Sequence, residues 1–242
     1  SKTMSKANNP LCFIGEENWR VPDPTDVAND EGLIALSWDL SPEMYRRLYP
    51  KGIFPWFEQE EVVFWFSPSI RSVTPTNGVV ISKSMRPYFN KRQWQFKVNS
   101  DFSAVVDLCG EVLRTDQEGT WLSDKFKNNF CQMHSLGMAH SFEVWEGEEL
   151  IGGTFGVMTG DVFVGESMFH SRPNASKFAY INMCMYLHDQ GVLYVDNQLP
   201  TEHLCSLGAW DIDRDEFLGI LETHVADKVP HPLPLNEHYR PQ

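Results

Sequence analysis

No run of about 18 apolar residues occurs in this chain, and its first residues lack the basic, apolar and small-residue succession of a secretory signal. A membrane-spanning helix is therefore excluded, and the cytoplasm is the expected compartment. There is no CxxC pair, and five cysteines (Cys12, Cys109, Cys131, Cys184, Cys205) leave one unpaired in any disulfide scheme. Reduced thiols fit that count. The tightest His/Cys grouping, Cys131, His134 and His140, has no second cluster to complete four ligands, so no metal is expected. Repeats and low-complexity segments are missing as well.

Positive charge is scarce. With 20 basic against 33 acidic residues the formal net charge is -13, and such a field repels a polyanion. One segment breaks the rule: from Arg71 to Ser100 there is no Asp or Glu, while Arg71, Lys83, Arg86, Lys91, Arg92 and Lys97 lie inside it.

What is present is a sizeable apolar fraction, 42% of 242 residues, enough for a substantial core. Ser41 followed by Pro42 reads as an N-cap and first helical position, and Pro50 and Gly52 close the short helix. EVVFWF (61 to 66) and QWQFKV (93 to 98) read as strands, with a short helix between them around Lys83 to Phe89 that Pro87 limits. Phe102, Val105, Val106, Cys109, Val112 and Leu113 recur at helical spacing, and a second helix runs from Ser123 to Gly137. SFEVWE, ELIGGTFGVM and DVFVGESMF, joined by short turns, form an antiparallel meander. A helix from Ala175, the strand VLYVDNQ, a short helix near Glu202 and another from Arg214 to His224 follow, and then a Pro-rich tail of low structural promise. The expected class is α+β/α/β: a small N-terminal α+β domain (1–99) and an acetyltransferase-like (GNAT-like) domain (100–242) with a mostly antiparallel sheet flanked by helices. Fold order of this kind says nothing by itself about function.

Nine motifs carry more. GIFPWF (52 to 57), FWFSP (64 to 68), SKSM (82 to 85), GTW (119 to 121), HSFEVW (140 to 145), GESMF (165 to 169), NASK (174 to 177), VDNQ (195 to 198) and SLGA (206 to 209) stand in one order with compatible spacing. In these the chain resembles the leucyl/phenylalanyl-tRNA protein transferase family, from about Gly32 to Leu221. The resemblance implies an enzyme without cofactor. It would move a hydrophobic amino acid (Leu, Phe or Met) from aminoacyl-tRNA to the N-terminal amine of proteins beginning with Lys or Arg, marking them for degradation through their N-terminal residue. A monomer is expected.

An aminoacyl ester is already activated, so the chemistry reduces to holding an amine against the ester carbonyl and managing one proton. In a strand, Tyr194, Asp196 and Gln198 share one face and Leu193 and Val195 the other. The expectation, which the resemblance supports at these positions, is that Asp196 and Gln198 hydrogen-bond to each other and draw a proton from the acceptor amine, with Glu166 orienting the same site. A free carboxylate near pKa ~4 is a poor base for an ammonium near ~8, so Asp196 must be tuned by its surroundings or else only position the amine. Taken singly, a carboxylate at a strand end is ordinary structure.

The resemblance also places Trp56 and Trp121 beside the terminal adenosine and its amino acid, where flat rings can stack on a base. It assigns Phe163, Tyr180, Met183, Leu187 and Val195 to the donor pocket, and core packing is the plain reading of each alone. Lys83, Arg86, Lys91 and Arg92 of the acid-free segment are the expected phosphate contacts of tRNA.

The sequence departs from the family pattern at Ser37 and Trp38, which replace a glycine pair, in SPSIR (67 to 71), and at Thr154 and Thr201. These positions bear on donor preference, and a sister transferase with another donor or acceptor is the first rival. An acetyl-CoA-dependent acetyltransferase is the second, yet HSRPNASK (170 to 177) lacks the glycine-rich pyrophosphate loop at that junction. The third is a non-catalytic RNA- or peptide-binding module, against which Glu166, Asp196 and Gln198 weigh.

Overall fold

The computed structural model of the chain describes residues 11–15, 20–116 and 122–241, with side chains for all of these but 112–116. The smaller of its two sheets holds β1 (Cys12–Phe13), β2 (Leu33–Ser37), β3 (Phe54–Gln59) and β4 (Val62–Phe66) in the order β1-β2-β4-β3. Between β2 and β3 runs α1 (Pro42–Leu48). The Ser41 hydroxyl accepts the Met44 N–H at its start, as the Ser-Pro pair dictates. α1 ends in a 3₁₀ turn, Tyr49–Lys51, and Gly52 leaves it at φ 76°, the left-handed conformation a glycine adopts without penalty.

The larger sheet begins with β5 (Ile70–Pro75), followed by α2 (Arg86–Lys91) and β6 (Gln95–Val98). Next come α3 (Phe102–Asp116) and α4 (Asp124–Ser135), then the meander β7 (Ala139–Glu146), β8 (Glu149–Thr159) and β9 (Val162–His170). α5 (Ala175–Asp189) crosses to β10 (Tyr194–Gln198), and α6 (Glu202–Ser206), β11 (Trp210–Asp213) and α7 (Arg214–His224) close the fold. The strand order is β11-β5-β10-β9-β8-β7-β6. Its neighbours are antiparallel except β9 and β10, which α5 makes parallel by carrying the chain back across the sheet. This is the mostly antiparallel, helix-flanked sheet behind a small N-terminal unit that the motif order implies.

Alternation along the strands divides the core. Phe155, Val157, Val164 and Phe169 point toward α3, α4 and the small sheet, whereas Phe142, Ile151, Phe163 and Val195 point toward α5. α7 covers Val73 and Val162 at the β5 end.

Two expectations change. β5 and β6 both precede residue 99 yet are strands of the large sheet, and one core cluster runs from α1 and β4 into α3 and β8. Local propensity predicts a strand but not the sheet it joins. The Pro-rich tail is also better anchored than its composition suggests: Asn236 bridges Val98, Leu233 is buried, and the Tyr239 hydroxyl donates to Asp189 at 2.7 Å.

No helix among the described residues is long and apolar enough to cross a membrane. No group of three His, Cys, Asp or Glu among them could hold a metal ion.

Candidate active site

The parallel pairing of β9 and β10 is short. Tyr194 opposes Val162, Val195 opposes Phe163 and Asp196 opposes Val164, and the register goes no further. Just beyond the last pair, the Gln198 side-chain amide donates to Glu166 Oε2 at 3.3 Å, so the three expected polar residues meet where the two strands part. Crevices at the carboxyl ends of parallel strands are the usual ligand positions of α/β sheets.

The link between Asp196 and Gln198 differs from the expected side-chain pair. It is the Gln198 backbone N–H that donates to Asp196 Oδ1, at 2.8 Å, while the Gln198 amide turns to Glu166. A register shift between Asp196 and Gln198 and a φ of 67° at Gln198 explain the change: the bulge turns the backbone N–H onto the carboxylate. Strict alternation, on which the expected pairing rested, holds only as far as Asn197.

Asp196 is 1% exposed, and its oxygens are taken by Arg71, with Nε to Oδ1 at 2.9 Å and Nη2 to Oδ2 at 2.7 Å. Two parallel N–H bonds from one guanidinium are the strong, planar form of a carboxylate contact. Arg71 is itself 3% exposed, so it adds nothing to the basic surface of the acid-free segment. Its remaining Nη1 donates to the Gly52 carbonyl at 2.7 Å, and its guanidinium carbon lies 4.7 Å from the Phe54 ring centre and 4.4 Å from that of Phe217.

Glu166 is treated differently. The Tyr49 hydroxyl donates to Oε1 and the Gln198 amide to Oε2, and no cation pairs with it among the described residues. Burial of the carboxyl pushes its pKa up to about 8; the bonds from Tyr49 and Gln198 and the charge of Arg71 act against that rise, and the Asp196 charge adds to it. Glu166 is half-buried, more open to solvent than Asp196 or Gln198.

The donor-side residues separate into two places. Phe163, Tyr180, Met183, Leu187 and Val195 do come together, but as packed core between the sheet and α5, each between 0 and 2% exposed. They lie on the face of the sheet opposite Glu166. The Tyr180 hydroxyl donates to Asn197 Oδ1 at 2.7 Å and bonds to the Thr74 hydroxyl at 2.8 Å, so it faces polar partners inside the sheet. Trp56 stands apart on β3, half-buried, with its ring edge-on to Phe66 at 4.9 Å, on the glutamate side. Trp121 lies outside the described residues.

Lys83, Arg86, Lys91 and Arg92 are exposed on and around α2, and none makes an ion pair among the described residues. Four exposed, uncommitted cations in a chain of net charge -13 form a local surface on which phosphate can settle.

Tyr49 and Asn197 are site residues that the sequence pattern leaves unremarked, and Arg71 it names only as a cation of the acid-free segment and the end of SPSIR. Arg71 and Tyr49 stand 125 and 117 positions from the carboxylates they bond, and no local periodicity links them. Asn197 lies inside the VDNQ motif, and that adjacency was the one signal for it.

Comparison with known proteins bears on the whole arrangement. Residues 73–222 match the family model described as leucyl/phenylalanyl-tRNA protein transferase, and 39–69 match the model of that family's N-terminal domain. A leucyl/phenylalanyl-tRNA protein transferase of Christiangramia forsetii is 45% identical over 200 residues, covering 82% of this chain and 94% of its own. That of Shewanella halifaxensis is 40% identical over 220 residues, covering 90% and 92%. Among solved structures, FemX superposes with a TM-score of 0.42 at 12% identity over 78% of this chain and 74% of its own, a likeness too loose to bear on mechanism.

Proposed function

This chain belongs to the leucyl/phenylalanyl-tRNA protein transferase family, and from that premise we propose that Glu166 is the group that takes the proton from the acceptor amine as transfer begins. The activity is leucyl/phenylalanyl-tRNA protein transfer, with an aminoacyl-tRNA donor and a protein acceptor. The observation that carries the assignment is the contrast between two carboxylates one strand apart: Asp196 is held by the Arg71 guanidinium, and Glu166 meets only the neutral Tyr49 hydroxyl and Gln198 amide, with no cation paired to it among the described residues.

The acceptor's α-ammonium gives one proton to the Glu166 carboxylate. The neutral amine attacks the ester carbonyl of the aminoacyl-tRNA, forming a C–N bond. The C–O bond to the terminal ribose then breaks, and the leaving ribose oxygen takes up the amine's second proton. A carboxylate raised to about 8 matches an α-ammonium of pKa roughly 8, the condition under which proton transfer between positioned groups is most effective. Gln198, bonded to Glu166, presents its carbonyl oxygen as a further acceptor for the amine. With Asp196 compensated by Arg71, the negative charge that favours an acceptor beginning with Lys or Arg is that of Glu166, present in its base form.

On the donor side, Trp56 is the ring available to the terminal adenosine without rearrangement. The cluster of Phe163, Tyr180, Met183, Leu187 and Val195 receives a Leu, Phe or Met side chain only if its packing against α5 loosens. Lys83, Arg86, Lys91 and Arg92 carry the tRNA backbone. The product, with a hydrophobic residue at its N-terminus, is a degradation signal.

The test is Glu166→Gln, which keeps the shape and the Gln198 contact but cannot accept a proton. Transfer of labelled Leu or Phe from tRNA to a peptide starting with Lys or Arg should fall about 10²- to 10⁴-fold in kcat, the usual worth of a positioned base. Near-normal turnover in a folded Glu166→Gln protein would remove Glu166 from the mechanism.

A further inference from the structure

Arg71 makes contacts that no plain salt bridge needs. Its Nε and Nη2 hold the two Asp196 oxygens, and its Nη1 holds the carbonyl of Gly52, the first residue of GIFPWF. The rings of Phe54, in the same motif, and of Phe217, on α7, lie against its guanidinium. Gly52 is pressed into this arrangement: a Cβ there would come within 3.2 Å of the Phe217 ring and 3.3 Å of Leu221. One side chain on β5 thus joins β10, β3 and α7.

Both halves of the proposed reaction depend on what it joins. Trp56, the donor-side ring, lies four residues beyond Gly52 on the strand that Arg71 anchors. Gln198, on the acceptor side, is held through its backbone N–H by the carboxylate that Arg71 anchors. Charge follows the same path. Glu166 is faced by Tyr45 and Tyr49 from α1 and its turn, by Asp196 and Gln198 from β10, and by Arg71 from β5. Arg71 is the one cation in that set.

We propose that Arg71 is a positioning residue for the transfer: by gripping Asp196 and the Gly52 carbonyl together it fixes the distance between the donor strand and the acceptor site, and it occupies Asp196 so that Glu166 alone receives the amine's proton. This rests on the reading of Glu166 given above. A buried arginine kept only for stability would hold its partner equally well without bridging to the strand that bears Trp56. Lysine is no substitute, because one ammonium cannot span a bidentate carboxylate contact and a third acceptor in a fixed plane.

Three variants of the full chain test the inference, each checked for folding by circular dichroism and thermal unfolding. Arg71→Lys should fold and lose about 10²-fold in kcat, the scale of an ångström-sized misplacement, while KM for the aminoacyl-tRNA stays within about twofold. Arg71→Met removes the cation that holds the Glu166 pKa down, so the acidic limb of its kcat/KM profile should move to higher pH. The double variant Arg71→Met with Asp196→Asn removes the charge that raises Glu166 as well, so its limb should return toward that of the unaltered protein while kcat stays low. If Arg71→Met does not fold because Asp196 is left buried and unpaired, the double variant, which has no such charge, and Arg71→Lys decide the matter.

Unaltered kcat in Arg71→Lys, or a low kcat with an unshifted limb in folded Arg71→Met, would overturn the proposal, the latter reducing Arg71 to a structural residue. Glu166→Gln separates the two readings. An active Glu166→Gln enzyme sinks the proton-acceptor assignment, and an inactive one beside an Arg71 series without pH shifts sinks this proposal alone.

Discussion

Glu166 and Asp196 are chemically almost the same group, and the fold gives them opposite surroundings. Asp196 meets a guanidinium and a backbone N–H; Glu166 meets a phenol and an amide. Hydrogen bonds to the charged form of a carboxyl lower its pKa, so the Tyr49 hydroxyl restrains the rise that burial imposes on Glu166. Tyr49→Phe removes that donor and lets the pKa climb. The acidic limb of the kcat/KM profile should then move above its position in the unaltered protein, because the base form needed for proton acceptance is present only above the pKa. A pH series of single-turnover transfer checks this, and a limb that stayed in place would mean Tyr49 does not tune Glu166. The motifs named the three polar residues, and the expectation from the sequence put Asp196 and Gln198 at the proton with Glu166 orienting the site, an order that the proposal above reverses. Rank depends on Arg71 and Tyr49, which reach the strands from distant parts of the chain.

Among the elements, the helices and the meander were the most legible. Ser41 caps where it was expected to, the helix expected from Ser123 starts directly after that residue, and the helix from Arg214 to His224 has the predicted bounds. β3 escaped the pattern because it carries Pro55, which a strand tolerates only where a ladder hydrogen bond is not required; β3 is the edge of its sheet. β5 escaped because it mixes Arg71, Ser72 and Thr74 with few apolar residues, and those polar side chains find partners on β10 and α5. The glycines of β8 show what close packing demands. A Cβ on Gly152 would lie 2.6 Å from the Ala175 Cβ and 2.8 Å from its backbone carbon, so the start of α5 rests directly on the strand. Gly152→Val should cost about 1–3 kcal/mol or more, since extra volume must push a helix off the sheet. Gly219→Ala on α7 meets nothing within 4 Å and should be neutral or stabilising by about 0.5–1 kcal/mol. Urea unfolding of the two variants gives the comparison, and equal midpoints would contradict the packing argument.

At the scale of the molecule, an acidic protein must bind an acidic nucleic acid, and the distribution of charge resolves the conflict. Arg71 is buried and Lys97 lies over the Trp145 ring at 4.9 Å, which leaves Lys83, Arg86, Lys91 and Arg92 as the exposed cations of the acid-free segment assigned to tRNA. Lys91→Glu with Arg92→Glu should weaken tRNA binding and lower the slope of log affinity against log salt by about two, roughly one for each phosphate that is no longer neutralised. Filter binding or anisotropy across a salt series measures it, and an unchanged slope would place the tRNA elsewhere.

The order of motifs determined the family, and the periodicity of apolar residues determined most helices and the meander, because both are written in neighbouring residues. The tertiary structure alone decided that β5 and β6 join the large sheet, that five expected donor-pocket residues pack as core, and that one carboxylate is paired with a guanidinium while the other meets only neutral donors. Those outcomes turn on burial and on hydrogen bonds between residues more than a hundred positions apart, such as Arg71 with Asp196 and Tyr49 with Glu166, and such partners are chosen only once the chain has folded.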